Sequence, residues 1–486
     1  MNARKSIFAV VIVLALVAGS LVQTRLNRDR ERLGLTRTAI ISNAPPVLAF
    51  TTVALGGFRG LIANALWIRT TELQEDGKYF EAVQLADWIT KLQPHFSQVW
   101  ANQAWNMAYN ISVKFPNPED RWLWVQRGIE LLRDQGLKYN PEQALMYREL
   151  GWLFQHKMGA NLDDAHWLYK TEWARMMQEV IPGGHPNYDE LLNPKTPEAK
   201  ARVTKLVQTY KLEPAMMKKV DDTYGPLEWR LPETHAIYWG MMGIEHSPAQ
   251  DKMPLRREIF QPMLAAFQRG RVVTNRFANR IELEPNLDII PNVSRAYEDA
   301  IAAEPENAAH IGTAHRNFMK DAIYFLYANN RQAEAQKWFD YLRKKYGSGD
   351  QVGIPENSTM EEYALSKITE DINETSRDRV TALLHGFLTQ AYYNLAIGED
   401  AHAAGLERMA ARIIDNYNYR TRNPGSKVRV ELASLDELKR NVLLDMLAPD
   451  PEVNPEFQAM LRTKLQLPAS FGVPTGTNAP AKPNAL

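Results

Sequence analysis

Ten histidines are the first residues to weigh for chemistry. His156 and His166 flank Asp163 and Asp164, His235 and His246 lie near Glu233 and Glu245, and His310 and His315 stand five apart. A metal needs two or three such groups converging on one point. A five-residue step does not place two ligands on one helical face, and no HExxH occurs. These histidines read as capping or surface residues, and no metal ligand is assigned. Glu228 with Glu233 is the carboxylate pair that could be cast as acid and base in glycoside or peptidoglycan cleavage, but nothing in the sequence fixes their separation. No phosphate-binding GxxxxGK[ST], no GxGxxG after a strand and no GxSxG elbow is present. No catalytic or cofactor-binding residue is assigned, no cofactor is expected, and the chain is read as a non-enzyme.

Tryptophan is more informative. Nine of the twelve lie between Trp67 and Trp173. One reading is core, because large aromatics fill gaps between packed helices. The other is a recognition surface, because aromatics anchor interfaces. Phase chooses between them. If Trp100 and Tyr147 face the core, Trp105 and Trp152 follow five residues later, rotated by about 140° on a helix of 3.6 residues per turn. The two occupy matched positions 47 residues apart. Trp105 and Trp152 are therefore assigned to partner binding, with Tyr324 as their counterpart further along.

The whole composition narrows the classes. Lys plus Arg and Asp plus Glu are both 57, and a balanced charge argues against nucleic acid as the main partner. Cysteine is absent, which rules out disulfides, thiolate zinc sites, iron–sulfur clusters and cysteine nucleophiles. Apolar residues at 45% and charged residues at 23% are ordinary for a globular chain.

The segment 7–22, IFAVVIVLALVAGSLV, carries no charge and follows Arg4 and Lys5. At 1.5 Å per residue it spans roughly 24 Å, a little less than the ~30 Å of a hydrocarbon core. A signal-anchor helix is the expectation; a cleaved signal peptide, favoured by Ala18, Gly19 and Ser20, and a buried helix are the alternatives. The short basic tail favours an exported, periplasmic body, whereas Arg25, Arg28, Arg30, Arg32 and Arg37 after the helix pull the other way. The apolar stretch 39–58, broken by Asn43, Pro45 and Pro46, reads as an interfacial or docking segment.

Beyond residue 61 the periodicity is helical, punctuated by Gly, Pro and Asn. Residues 65–94 have helix–turn–helix grammar: Gly77 in the turn, Tyr79 after it, Ala82 and Ala86 where helices approach, and Pro94 at the end. Trp100 begins a second stretch six residues after Pro94 and carries Ala104 one turn on. Tyr147 begins a third six residues after Pro141, with Leu150-Gly151, Phe154, Gly159 and Ala165 following. Residues 319–342, with Ala322, Leu326, Ala335 and Phe339, and 386–414, with Gly398 in the turn, have the same grammar. Together these stretches, about half the chain, resemble tetratricopeptide repeats. The match is partial: Arg69-Thr70 stands where Leu-Gly is usual, and Lys114 to Asp120 inserts a loop in the second stretch. Residues 56–94 also look like a class of bacterial membrane-anchored helical-repeat proteins, a likeness that implies nothing catalytic.

The fold expected is all-α: a tetratricopeptide-like α-solenoid of helix pairs with a non-repeat insert and an N-terminal transmembrane helix. The organisation read is a signal-anchor over 1–24, a juxtamembrane apolar segment over 25–60, and repeats over 61–180. A loop-rich helical insert follows over 181–310, its helix after residue 223 capped by Thr234 and its 254–303 part helical. C-terminal repeat-like helices over 311–465 and a disordered tail over 466–486 complete it. The expected role is a membrane-anchored scaffold or assembly factor of the cell envelope that binds a protein partner and no nucleic acid. The alternatives are an accessory subunit of a membrane transporter, or an envelope enzyme or carbohydrate-binding accessory using residues 181–260.

Overall fold

The computed structural model describes residues 3–32, 58–275, 280–349, 353–369, 377–421, 432–448, 453–468 and 471. α1 (Ala3–Arg32) contains the whole uncharged 7–22 run. From Val11 to Leu26 its large apolar side chains are exposed, Leu16 and Leu21 each at 68%. The side chains of residues 3–10 lie outside the described set. Among the described residues no helix is long and apolar enough to cross a membrane. The apolar stretch 39–58, apart from the backbone of Phe58, and the tail from 469, apart from Phe471, also lie outside it.

Helices pack in consecutive pairs, an arrangement compatible with a helical-repeat fold. α2 (Phe58–Glu75) and α3 (Tyr79–Leu92) turn at Gly77, whose φ of +74° suits a residue without Cβ. Ala82 and Ala86 are buried at their contact. α4 (Ser97–Trp105) continues through a π-helical stretch, Asn106–Ile111, into a short 3-10 turn, Ser112–Lys114. The inserted loop ends at Asn117, whose side chain accepts from the Glu119 N–H, and Pro118 opens α5 (Pro118–Glu130). α6 (Ala144–Trp152) continues through a second π stretch, Leu153–Gly159, before α7 (His166–Val180).

The second and third pairs share a detail finer than spacing. Trp100 Nε1 donates to the Pro94 carbonyl at 2.8 Å, and the Tyr147 hydroxyl donates to the Pro141 carbonyl at 2.7 Å. Each buried aromatic thus ties its helix to the proline six residues before it. The small residues act as expected at crossings. A Cβ on Gly128 of α5 would stand 2.9 Å from the Ala104 carbonyl oxygen.

Residues 181–310 supply α8 (Tyr188–Leu192), α9 (Pro197–Lys205), α10 (Pro214–Tyr224), α11 (Pro232–His246) and α12 (Met253–Arg269). Two expectations change here. α11 begins at Pro232, not at Thr234. Proline lacks the N–H that a first turn leaves unpaired, and the Thr234 hydroxyl instead donates to the Glu228 carbonyl at 2.7 Å. Residues 254–303 are not helical throughout: β1 (Arg271–Asn275) and β2 (Arg280–Glu284) form an antiparallel hairpin pairing Arg271 with Glu284 and Asn275 with Arg280. Strands this short fall inside the window over which helical periodicity is read. α11 is buried on every side from Pro232 to Gly243 and packs between α6 and α12. Its residues share one apolar core with those of α4 to α7.

The chain goes on through α13 (Ile290–Ala303), α14 (Ala308–Ala328), α15 (Gln332–Tyr346) and α16 (Met360–Thr369). α17 (Arg377–Ile397), α18 (Asp400–Thr421), α19 (Leu435–Leu447) and α20 (Pro455–Lys464) gather a second core from Val380 to Leu461. Gly398, at φ +97°, makes the turn between α17 and α18.

Candidate functional site

Three helices enclose a groove of about 830 Å³. α4 lends Gln98, Asn102 and Trp105; α6 lends Arg148, Glu149 and Trp152; α12 lends Met253, Arg257, Glu258 and Gln261. Trp105 and Trp152, 47 residues apart in sequence, meet at this one surface. Trp105 is 45% exposed and Trp152 half-buried, while Trp100 and Tyr147 are buried at 3% each, which is the phase difference expected from the five-residue offset. Tyr324 does not join them. It sits on α14, half-buried, edge-on to Phe325 with ring centroids 5.4 Å apart.

Both tryptophans are the last residue before a π stretch, and each stacks on the ring four residues later. Trp105 lies on Tyr109 with centroids 5.2 Å apart, and Trp152 on His156 at 4.4 Å. The two stacks are joined where Tyr109 and His156 share a hydrogen bond of 2.9 Å between Oη and Nδ1. Four rings therefore form a continuous shelf across two helices. Burial, then the nearby Lys157 ammonium, lowers the His156 pKa and favours the neutral ring. Burial, reinforced by Glu149, holds the Tyr109 hydroxyl protonated far above its usual value. π segments recur at functional sites, because a widened turn changes which side chains share a face.

Glu258 is the electrostatic anomaly of the groove. It is 6% exposed, and its Oε2 is buried with no hydrogen-bond partner. Burial pushes its carboxyl up to about 7, with Arg148 pulling it down and Glu149 pushing it up. A carboxyl displaced this far in a cleft is a functional-site signature. The other charges are already engaged. Arg148 pairs with Glu149, and Arg257 reaches the buried Glu304 at 3.2 Å. The sequence reading did not single out Glu258. The signal was present: Leu255, Ile259, Met263 and Ala266 form the apolar stripe of α12, and Glu258 is a charge in that phase.

Gly151 makes the close approach possible. A Cβ there would stand 3.3 Å from Glu258 Oε2 and 3.5 Å from the Ala236 carbonyl oxygen of α11. Gly151→Leu is expected to destabilise the protein by about 1–3 kcal/mol through overpacking at this crossing. The measurement is the thermal midpoint, and an unchanged midpoint would show that α11 and α12 yield there freely.

The other chemistry-bearing groups serve the fold. Glu228 is paired with Arg230 and Glu233 with Arg269, each at 2.7 Å and away from the groove. Asp163 binds Lys157 at 2.5 Å and Tyr169 at 3.0 Å. Burial works to raise its pKa, but these bonds and the Ala165 N–H outweigh it and bring it down to about 2. His166 contacts Lys170 Nζ at 2.9 Å. His235 is buried, not superficial, and donates from Nε2 to the Trp229 carbonyl at 2.9 Å. His315 is likewise buried, held by Ser294 and Tyr346 at 2.9 Å each. Among the described residues no group of three His, Asp or Glu side chains is placed to hold a metal ion. No protein-family model, no curated protein and no solved structure matches this chain.

Proposed function

We propose that this chain is a membrane-anchored, tetratricopeptide-like scaffold or assembly factor of the bacterial cell envelope, and that the groove between α4, α6 and α12 binds its protein partner. The observation that carries the reading is the convergence of Trp105 and Trp152 on that groove. Arrays of helix pairs commonly work through extended concave surfaces. Partly exposed tryptophans backed by other rings are the side chains that dominate interface energetics. The matched proline-carbonyl bonds of Trp100 and Tyr147 support the repeat reading. The uncharged 7–22 run on α1 is the anchor in this reading, with the body exported after the basic Arg4-Lys5 tail. Docking to a membrane transporter through residues 39–58 is the form of scaffold that uses the second apolar stretch.

The test uses the full-length protein in mild detergent. Trp105→Ala and Trp152→Ala together are expected to abolish capture of the co-purifying protein, since truncating such anchors costs about 2–4 kcal/mol each. Thermal unfolding should stay near that of the parent protein. Early unfolding would place the rings in the core; normal folding with undiminished capture would move the partner off this groove. The full-length chain is expected to stay with membranes through alkaline carbonate extraction, and its release would overturn the anchor.

One observation favours a second reading, a glycan-binding or glycan-cleaving envelope protein. Glu258, protonated near neutrality, lines the groove beside Glu149, an arrangement that could place an acid next to a carboxylate. Glu149 is engaged by Arg148, which ranks this reading second. Hydrolysis of peptidoglycan fragments by the parent protein, lost in Glu258→Gln, would establish it.

A further inference from the structure

We propose that the groove seats a basic side chain of the partner, a lysine or an arginine, with Glu258 as its counter-ion and Trp105 and Trp152 as the aromatic faces beside it. This rests on the partner-binding reading above and gives it a chemistry.

The argument begins with what the groove leaves unmet. Arg148 has Glu149, and Arg257 has Glu304. Glu258 has an oxygen that is buried and accepts from nothing. An acceptor withdrawn from water without a donor is costly, so a ligand that brings N–H groups to it gains the difference. Gly151 sets α6 against that oxygen, a Cβ there standing only 3.3 Å from it, while Glu258 also lines the groove, so a cation meets the carboxylate from the groove side. Trp152 is the next residue along α6.

The rings point to the same class of ligand. The face of an indole carries negative charge density and attracts ammonium and guanidinium groups. Trp105 and Trp152 keep their orientation because Tyr109 and His156 back them. An anionic ligand would meet Glu149 and Glu258 with both arginines already neutralised. A neutral sugar could use Gln98, Asn102 and Gln261, but it would satisfy Glu258 without drawing on its charge. A cation uses the unpaired carboxylate and the rings together. The charged groups facing Glu258 are Arg148 and Glu149 from α6 and Arg257 on its own helix, while α11 brings the Ala236 carbonyl to the adjoining Gly151. A carboxyl protonated near neutrality gives up its proton to solvent when the cation enters.

The experiment is calorimetric titration of the full-length protein in detergent at pH 7.5 with three probes: hexa-arginine amide, hexa-glutamate amide and chitotetraose. Hexa-arginine amide is expected to bind and the other two are not. Glu258→Gln keeps the shape of the side chain and is expected to weaken hexa-arginine binding at least tenfold. Trp105→Ala, at a half-exposed ring, is expected to weaken it as well, which keeps the test decisive if the first variant folds poorly. Undiminished binding by a folded Glu258→Gln overturns the proposal, as does undiminished binding by Trp105→Ala where the first variant folds poorly, or a preference for hexa-glutamate amide. Preferential binding of chitotetraose assigns the groove to a glycan and also overturns it. The two levels fail separately. If the double tryptophan variant still captures the protein partner, the partner-binding reading falls. If that variant loses the partner while Glu258→Gln keeps both partner and hexa-arginine, only the basic-side-chain inference falls.

Discussion

Acidification from pH 7 to about 4.5 is expected to destabilise this protein by a net ~3 kcal/mol, and two buried histidines are the main cause. Burial lowers the pKa of His235 to about 4, despite its bond to the Trp229 carbonyl. Burial, then the Lys345 ammonium, lowers that of His315 to about 4. Both folded values lie below the roughly 6.5 of an unfolded chain. Between these values the unfolded chain binds the proton and the folded chain does not. The stability is therefore complete above about pH 6.5 and is lost as the pH falls toward 4, by about 3 kcal/mol for each histidine. His156 and His166 are shifted in the same direction and add to the loss.

Glu258 runs the other way. Its folded pKa, about 7, lies above that of an unfolded glutamate. From pH 7 downward the folded chain holds a proton that the unfolded chain has released, so this group stabilises on acidification and offsets about 3 kcal/mol. The measurement is the urea midpoint at pH 7, 6 and 5. The parent protein is expected to lose stability steadily, and Glu258→Gln to lose it about twice as steeply, because the offset is gone. A flat or rising profile would mean that His235 and His315 take up protons without unfolding.

Gly405→Ala is expected to destabilise the chain by about 3 kcal/mol, at the top of the overpacking range. Gly405 lies in the first turns of α18, buried against the end of α14. A Cβ there would run into the carbonyl group of Ala328, which is backbone and cannot swing aside as a side chain would. α18 contributes Met409 to the large core and Ala410, Ile413 and Ile414 to the C-terminal one, so it couples the two. Arg408 strengthens that junction by donating to the Tyr327 carbonyl at 3.0 Å, and Arg412 by reaching Glu361 at 2.8 Å. The C-terminal helices should therefore loosen first. Limited proteolysis of the variant is expected to cut within 377–464 before the region 100–346, and urea unfolding should show two transitions. A single transition at the parent midpoint would mean that α14 and α18 shift apart without cost.

The sequence by itself determined the local grammar. Helical periodicity, and Gly77 and Gly398 in turns, follow from backbone preferences that act within a few residues, whereas the loop read over Lys114 to Asp120 ends earlier, at Asn117, where the side-chain cap and Pro118 open α5. The five-residue offset from Trp100 to Trp105 and from Tyr147 to Trp152 also set the relative phase within each pair, because side-chain direction on a helix depends only on position along it; packing made Trp100 and Tyr147 the buried members. Tertiary structure decided what those faces meet. That α12, about a hundred residues after Trp152, closes the groove and lends it Glu258 depends on α11 lying buried between α6 and α12, and no local spacing encodes that placement. The same holds for His235 and His315. Neither carries a local sign of burial, since whether a histidine is wet depends on which helix comes to cover it. Tyr324 shows the limit of extending phase without contact: its helix has the same grammar, but its neighbours are Phe325 and the core, and it stands apart from the groove. Spacing sets which way a side chain points, and only packing sets what stands in front of it.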